Sequence, residues 1–297
     1  MDIFMFLFIL LCIVGFISKY FDSTLGLGYG TILAPVLLIG GYSVYRVVPA
    51  ILFSEFVSSA ITAVLHRLAG TISSDPESKD FKVSAILSTM GMIGAAIGVS
   101  IAVSFSEMII TVYVALTVII TGSLVAQRYR WNFTYRRVTM FGLIAAINKS
   151  LSGGGYGAVV AGGQILSGRK SKKAVASTAT AEAVTTGTSY GLYILLERTT
   201  LSLDLFLQLE IPLLIGAVLS APFAAYFVNS VKAKRLIPTV GTAAVMLGIY
   251  TIFNTLVQNI VAGIIAVIIF LMLFAVFTRV SVKIVKTKEV EDLDEKE

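Results

Sequence analysis

Apolar residues dominate this chain in long blocks, and polar residues fall mostly between the blocks rather than alternating within them. The blocks run to about 18 residues or more, enough for a helix to cross a hydrocarbon core of roughly 30 Å. Two of them are interrupted by glycine clusters. In each case a hydrophobic arm enters the break and a shorter arm leaves it, over 3–21 and 30–42, then over 138–151 and 157–167. Three longer spans follow each pair of arms. They lie near 47–65, 83–104 and 108–126, then near 174–196, 205–228 and 236–253. A last helix is predicted over 259–282, ahead of a charged tail from Lys286 to Glu297.

The same order of elements, met twice, points to an internal repeat. An ungapped shift of 127 residues lays Gly26-Leu27-Gly28-Tyr29-Gly30 on Gly153-Gly154-Gly155-Tyr156-Gly157. It also lays Ser23 on Ser150, Ala34 on Ala161, Gly41 on Gly168, Val48 on Val175 and Glu55 on Glu182. The predicted organisation is a first membrane repeat over 1–127 and a basic linker over 128–137. A second membrane repeat over 138–255, an additional C-terminal transmembrane helix over 256–285 and a tail over 286–297 complete it.

Composition agrees with an all-α polytopic membrane protein. Of 297 residues, 57% are hydrophobic and only 13% charged, too few charges to cover a soluble domain of this size. The start, Met1-Asp2-Ile3-Phe4, has no basic n-region, so the first block reads as a mature helix. A lone cysteine, Cys12, leaves no disulfide framework and no cysteine-based metal site.

The net charge of +6 is explained by the loops. Arg128, Arg130, Arg136 and Arg137 lie in the linker, Arg169, Lys170, Lys172 and Lys173 in the next loop, and Lys232, Lys234 and Arg235 in a later one. Arg67, Lys79 and Lys82 fall on the same side, whereas the opposite loops hold only Arg46 and Arg198 as basic residues. The basic side is cytoplasmic by the positive-inside rule. That orients the N-terminus outside and the C-terminus inside. A broken hairpin returns to the side it entered from, so each half crosses a net three times and the halves are inverted. Inverted repeats with discontinuous segments are a recurring transporter plan.

Candidate chemistry concentrates at the breaks. Irregular backbone at membrane depth survives only inside protein or beside a water-filled cavity. Gly26, Gly28 and Gly30, with Gly153, Gly154, Gly155 and Gly157, allow positive φ and close backbone approach. The helices restarting after these breaks would present free N–H groups and the positive ends of their dipoles, a place for an anion, with Tyr29 and Tyr156 inside the glycine segments among the binding candidates. The alternative is close helix packing through small residues.

Glu55 with Ser58, Ser59 and Thr62, and Glu182 with Thr185, Thr186 and Ser189, form two polar helix faces at spacings of three, four and seven. Such faces are expected to line the bundle interior or a pathway, or else to bond to the preceding turn. Two carboxylates fit an anion path only when protonated, bound to a coupling cation, or paired with a base. Asp22 and Lys149 stand at equivalent positions before the breaks, either paired with each other or with Lys149 free for the anion. Asn148 and Gln164 can donate hydrogen bonds to oxyanion oxygens. His66 beside Arg67, and the aromatic group Tyr129, Trp131, Phe133 and Tyr135, suit a membrane interface.

The two glycine segments, with Pro35 after the first and Ala174-Val175-Ala176-Ser177-Thr178 after the second, resemble the TauE/SafE (TSUP) family of sulfite exporters. The resemblance spans the whole membrane region. It implies movement of sulfite, thiosulfate, sulfoacetate and related organosulfur anions across the prokaryotic cytoplasmic membrane. Ser177 and Thr178, the latter preceding Glu182 on its polar face, stand among the substrate-binding candidates.

The leading expectation is a secondary transporter of a small sulfur-containing anion working by alternating access, with the lipid bilayer and a coupling proton or cation as partners. No cofactor, resident metal or nucleic acid is expected. A second reading is a carboxylate or cation carrier using Glu55 and Glu182. A third, a membrane-embedded enzyme, would need clustered His, Cys or nucleophile–base pairs, which this sequence lacks.

Overall fold

The computed structural model describes residues 3–25, 28–127, 134–166, 169–196, 206–227 and 233–256. Those residues form ten α-helices and no strand. The first five are α1 (Ile3–Leu25), α2 (Tyr29–Ile39), α3 (Val44–Leu68), α4 (Lys79–Ser104) and α5 (Glu107–Gln127). The others are α6 (Tyr135–Ser152), α7 (Tyr156–Leu166), α8 (Ser171–Leu195), α9 (Ile211–Phe227) and α10 (Ala233–Leu256). A single π-helical turn, Phe206–Glu210, leads into α9.

Local chemistry sets several of the boundaries. Ser43 caps α3 by accepting from the Tyr45 N–H at 3.3 Å, and Ser78 caps α4 by accepting from the Phe81 N–H at 3.1 Å. Thr134 caps α6 in the same way, accepting from the Arg137 N–H at 3.3 Å. Each satisfies one of the donors that a helix start leaves orphaned. At the other end of α6, Gly153 adopts the left-handed conformation, φ 72°, and its N–H closes on the Lys149 carbonyl at 2.7 Å.

The first arm differs from expectation. α1 has 23 residues, a length of about 34 Å, and by length and composition it can cross a membrane, as can α3 and α4. The helix continues beyond residue 21 because the polar groups there are satisfied within it. Asp22 pairs with Lys19 at 2.9 Å, and the Thr24 hydroxyl donates to the Tyr20 carbonyl at 2.6 Å. The second arms are short as expected: α2 and α7 have 11 residues each. The longer spans fall within a few residues of their predicted positions. Gly26, Arg128, Arg130, Trp131, Arg198, Lys232, the helix predicted over 259–282 and the tail lie outside the described residues.

Packing is mainly between the halves. α1 packs on α9, α4 on α6 and α8, α3 on α8 and α9, and α5 on α10. Small residues set the spacing of these contacts. A Cβ on Gly94 of α4 would lie 2.6 Å from the Ala146 Cβ, and one on Gly98 would lie 2.8 Å from the Ser150 Cβ. Glycine lets α6 come this close, the usual device of membrane helix interfaces. Phe4, Met5 and Phe6 on α1 and Met92, Ile93 and Ile97 on α4 point outward from the bundle, faces suited to acyl chains. Inside lies an apolar core built round Leu33, Leu37, Val47, Ile51, Val114 and Leu213. Against it, at the ends of α1 and α6, sits a group of buried charges.

Candidate functional site

The two breaks meet. The Gly155 N–H, leaving the second break, donates to the Thr31 hydroxyl on α2 at 3.0 Å. A Cβ on Gly154 would lie 2.9 Å from both the Gly30 carbonyl carbon and the Thr31 nitrogen. A Cβ on Gly30 would in turn overlap the Gly153 carbonyl. The chain can make this crossing because no side chain stands at 30 and 154, and because Gly28 (φ 84°) and Gly155 (φ 82°) take the positive φ that L side chains resist. Asn148 braces the second break by donating to the Gly154 carbonyl at 3.1 Å. Its oxygen accepts from the Tyr113 and Thr117 hydroxyls, each at 2.9 Å.

Beside the crossing lies an ionic chain drawn from four helices. Lys19 Nζ is 2.9 Å from Asp22 Oδ2 and 3.9 Å from Glu55 Oε1. Lys149 Nζ bonds Glu55 Oε2 and lies 3.4 Å from Glu182 Oε1. The Ser59 hydroxyl donates to Glu182 Oε2 at 3.4 Å. The side chains of Glu55 and Lys149 are fully buried, at 0% exposure. The Tyr29 ring, the first side chain of α2, covers Lys19 with its centroid 5.6 Å from Nζ, and its hydroxyl accepts from Ser54 at 3.2 Å.

Burying so many charges is costly unless they compensate one another. The group holds three carboxylates and two ammonium groups. Fully ionised, it carries one excess negative charge. One oxygen each of Asp22, Glu55 and Glu182 lies within 4.8 Å of the others, and Glu55 Oε1 and Glu182 Oε1 receive no hydrogen bond. These oxygens have spare capacity for a proton or cation.

The pairing differs from the sequence expectation. Lys149 neither pairs with Asp22 nor stays free: it bridges the two glutamates, and Lys19 takes Asp22. The reason is reach across facing helices. α3 and α8 pack together and bring Glu55 and Glu182 to the end of α6, whereas Lys19 lies three residues from Asp22 on the same face of α1.

Most hydroxyls of the two polar faces bond to their own helix. Thr62 donates to the Ser58 carbonyl, Ser58 to the Glu55 carbonyl, Thr185 to Ala181 and Thr186 to Glu182. Ser189 donates to the Thr185 carbonyl of its own helix and also contacts the Ser150 hydroxyl, each at 2.7 Å, whereas Ser59 reaches across to Glu182.

Gln164, Ser177 and Thr178 form a group of their own, because Gln164 stands eight residues along α7 from Tyr156, about 12 Å from the break. There Gln164 donates to the Thr178 hydroxyl at 3.0 Å, accepts from Ser177 at 3.1 Å and accepts from Arg169. Arg169 and Lys173 both bind the carboxylate of Asp80 at the start of α4, at 2.6 and 2.7 Å. Sequence reasoning passes over Lys19 and Asp80 and leaves Arg169 as an ordinary loop charge. A lysine three residues from an aspartate inside an apolar helix was the available signal for Lys19. Nothing local marks Asp80.

Interrupted helices meeting beside a buried ionic chain, within apolar helices long enough to span, are the build of a membrane transporter. The chain belongs to the sulfite exporter TauE/SafE family, whose model matches residues 11–251. It is similar to the probable membrane transporter protein YtnM of Bacillus subtilis (strain 168), with 24% identity over 266 residues and 84% of each chain covered. No solved structure matches it.

Proposed function

We propose that this membrane transporter is a secondary carrier, not an enzyme, and that it moves a small sulfur-containing anion such as sulfite, thiosulfate or an organosulfonate by alternating access. The observation that carries the reading is the crossing of the two glycine breaks beside Lys19 and Lys149. Helix starts and ammonium groups converge there, inside the bundle, in surroundings of low dielectric where each is worth more than in water. Gly28, Gly30, Gly154, Gly155 and Gly157 supply backbone at the seat, and Tyr29 and Tyr156 open the helices that leave it. The Glu55–Lys149–Glu182 bridge couples the seat to a proton or cation, since charging or neutralising either glutamate changes what Lys149 is free to bind.

The finer architecture belongs to the same proposal: two inverted repeats over 1–127 and 138–255, the N-terminus outside, the C-terminus inside. Its support is that the packing is symmetric under exchange of halves. With α1 matched to α6, α2 to α7, α3 to α8, α4 to α9 and α5 to α10, the α1–α9 contact corresponds to α6–α4 and α3–α9 to α8–α4. The α3–α8 and α5–α10 contacts map onto themselves.

Uptake into proteoliposomes tests the function. Sulfite, thiosulfate or a sulfonate is expected to accumulate down its gradient, and Lys149→Ala is expected to abolish uptake. Failure of all three anions to move or compete would end the proposal. One observation favours a second reading, a cation or carboxylate carrier: the carboxylate oxygens of Asp22, Glu55 and Glu182 converge within 4.8 Å. The two lysines already offset most of that charge, which weighs against it. Loss of cation binding in Glu182→Gln with anion binding intact would favour it.

A further inference from the structure

The anion seat of the proposed function has an occupant. Asp22 Oδ1 accepts the N–H of Gly28, the residue that opens α2, at 3.0 Å. Its other oxygen, Oδ2, accepts from Lys19 at 2.9 Å. The same Oδ1 lies 3.2 Å from where a Cβ on Gly157 would stand, so the carboxylate also lies over the first turn of α7. A backbone N–H, an ammonium group and two helix starts form the environment expected for a bound oxyanion. Here the protein's own carboxylate fills it, 9% exposed.

Resting on the transport reading above, we infer that Asp22 is a tethered substitute for the transported anion: it holds the seat between the breaks when the seat is empty of substrate, and a substrate must displace it.

The charge count defines what can replace it. With Asp22 in place the chain of Lys19, Asp22, Glu55, Lys149 and Glu182 has three carboxylates against two ammonium groups. With Asp22 withdrawn, two stand against two. A monoanion entering the seat restores the original balance. A dianion adds one further negative charge beside Glu55 and Glu182, which is costly in a buried site without an accompanying proton or cation. The seat therefore takes a singly charged oxyanion, a sulfonate or hydrogen sulfite, in preference to thiosulfate. The displaced carboxylate lies at the end of α1, near the crossing, so displacement also loosens the bond that ties α1 to the start of α2. That gives substrate a direct way to favour a change in the hairpin.

The test is binding to the full-length protein in detergent, with methanesulfonate as the monoanion and thiosulfate as the dianion, on wild type and Asp22→Ala. Removing the internal competitor is expected to tighten methanesulfonate by roughly tenfold or more, the scale of one charge-assisted hydrogen bond. Thiosulfate is expected to gain less. Unchanged or weaker methanesulfonate binding in Asp22→Ala, with wild type still transporting sulfur anions, would overturn the inference and leave the transport reading standing. So would an equal gain for both anions. If no sulfur anion binds or moves in either chain, the transport reading fails and this inference with it. Should Asp22→Ala not fold, infrared difference spectra of wild type decide. Methanesulfonate is expected to shift a carboxylate stretching band as Asp22 leaves its N–H and ammonium partners, and binding without such a shift would overturn the inference.

Discussion

Replacing Gly154 by alanine adds one methyl group at the point where the two breaks cross. Its backbone lies outside the left-handed region, so the effect is steric. The new Cβ would stand 2.9 Å from the Gly30 carbonyl carbon and 2.9 Å from the Thr31 nitrogen. Ordinary carbon contacts are about 3.5–4.0 Å, so the breaks must part by several tenths of an ångström or more. Both neighbours are backbone and cannot rotate away. Overpacking of this kind costs about 1–3 kcal/mol. Gly162, later in α7, is the matched control, because a Cβ there meets nothing within 4 Å. In a helix interior alanine is favoured over glycine by roughly 0.5–1 kcal/mol. The two variants should therefore differ by about 1.5–4 kcal/mol with opposite signs relative to wild type. Thermal melting in detergent reads the difference. Gly154→Ala is expected to melt several degrees below wild type and to lose transport, and Gly162→Ala to melt at or above it with transport retained. If Gly154→Ala melts no lower than Gly162→Ala, the crossing is not where the structure has it.

Lys149→Met removes the ammonium group that bridges Glu55 and Glu182 and leaves Glu55 only its 3.9 Å contact to Lys19, a change expected to cost about 3–5 kcal/mol. Adding Glu55→Gln should recover part of that loss, measured as a double-mutant cycle on unfolding. Asp80→Asn weakens the tie from α4 to Arg169 and Lys173, so a cysteine at Ser177 in a Cys12→Ser background should react faster with a soluble maleimide; an unchanged rate would mean that this ion pair holds nothing closed. The orientation predicts that Ser73→Cys, between α3 and α4, is labelled from the cytoplasm and Ser106→Cys, between α4 and α5, from outside; the reverse pattern would invert the topology.

Much of the helix plan was legible because each signal is local. Apolar length gives the spans, and the glycine clusters at 26–30 and 153–157 point to the breaks; the capping roles of Ser43, Ser78 and Thr134 emerge only in the structure. The proposed duplication rests on signals of the same local kind, since it compares one stretch of sequence with another. The end of α1 was less legible: the first arm is expected to stop at residue 21, yet the helix runs on to Leu25 with Asp22 and Thr24 satisfied within it.

The sequence by itself determined which residues were unusual for a membrane interior: Glu55, Glu182, Asp22, Lys149 and the paired glycines. The tertiary structure alone decided who meets whom. It gave Lys149 to the two glutamates and Asp22 to Lys19 and Gly28, and it moved Gln164, Ser177 and Thr178 to a separate group with Arg169 and Asp80. The physical reason is that a buried charge takes its partner from whatever helix packs against it. That choice depends on distances of a few ångströms between segments far apart in the chain, which no local spacing encodes.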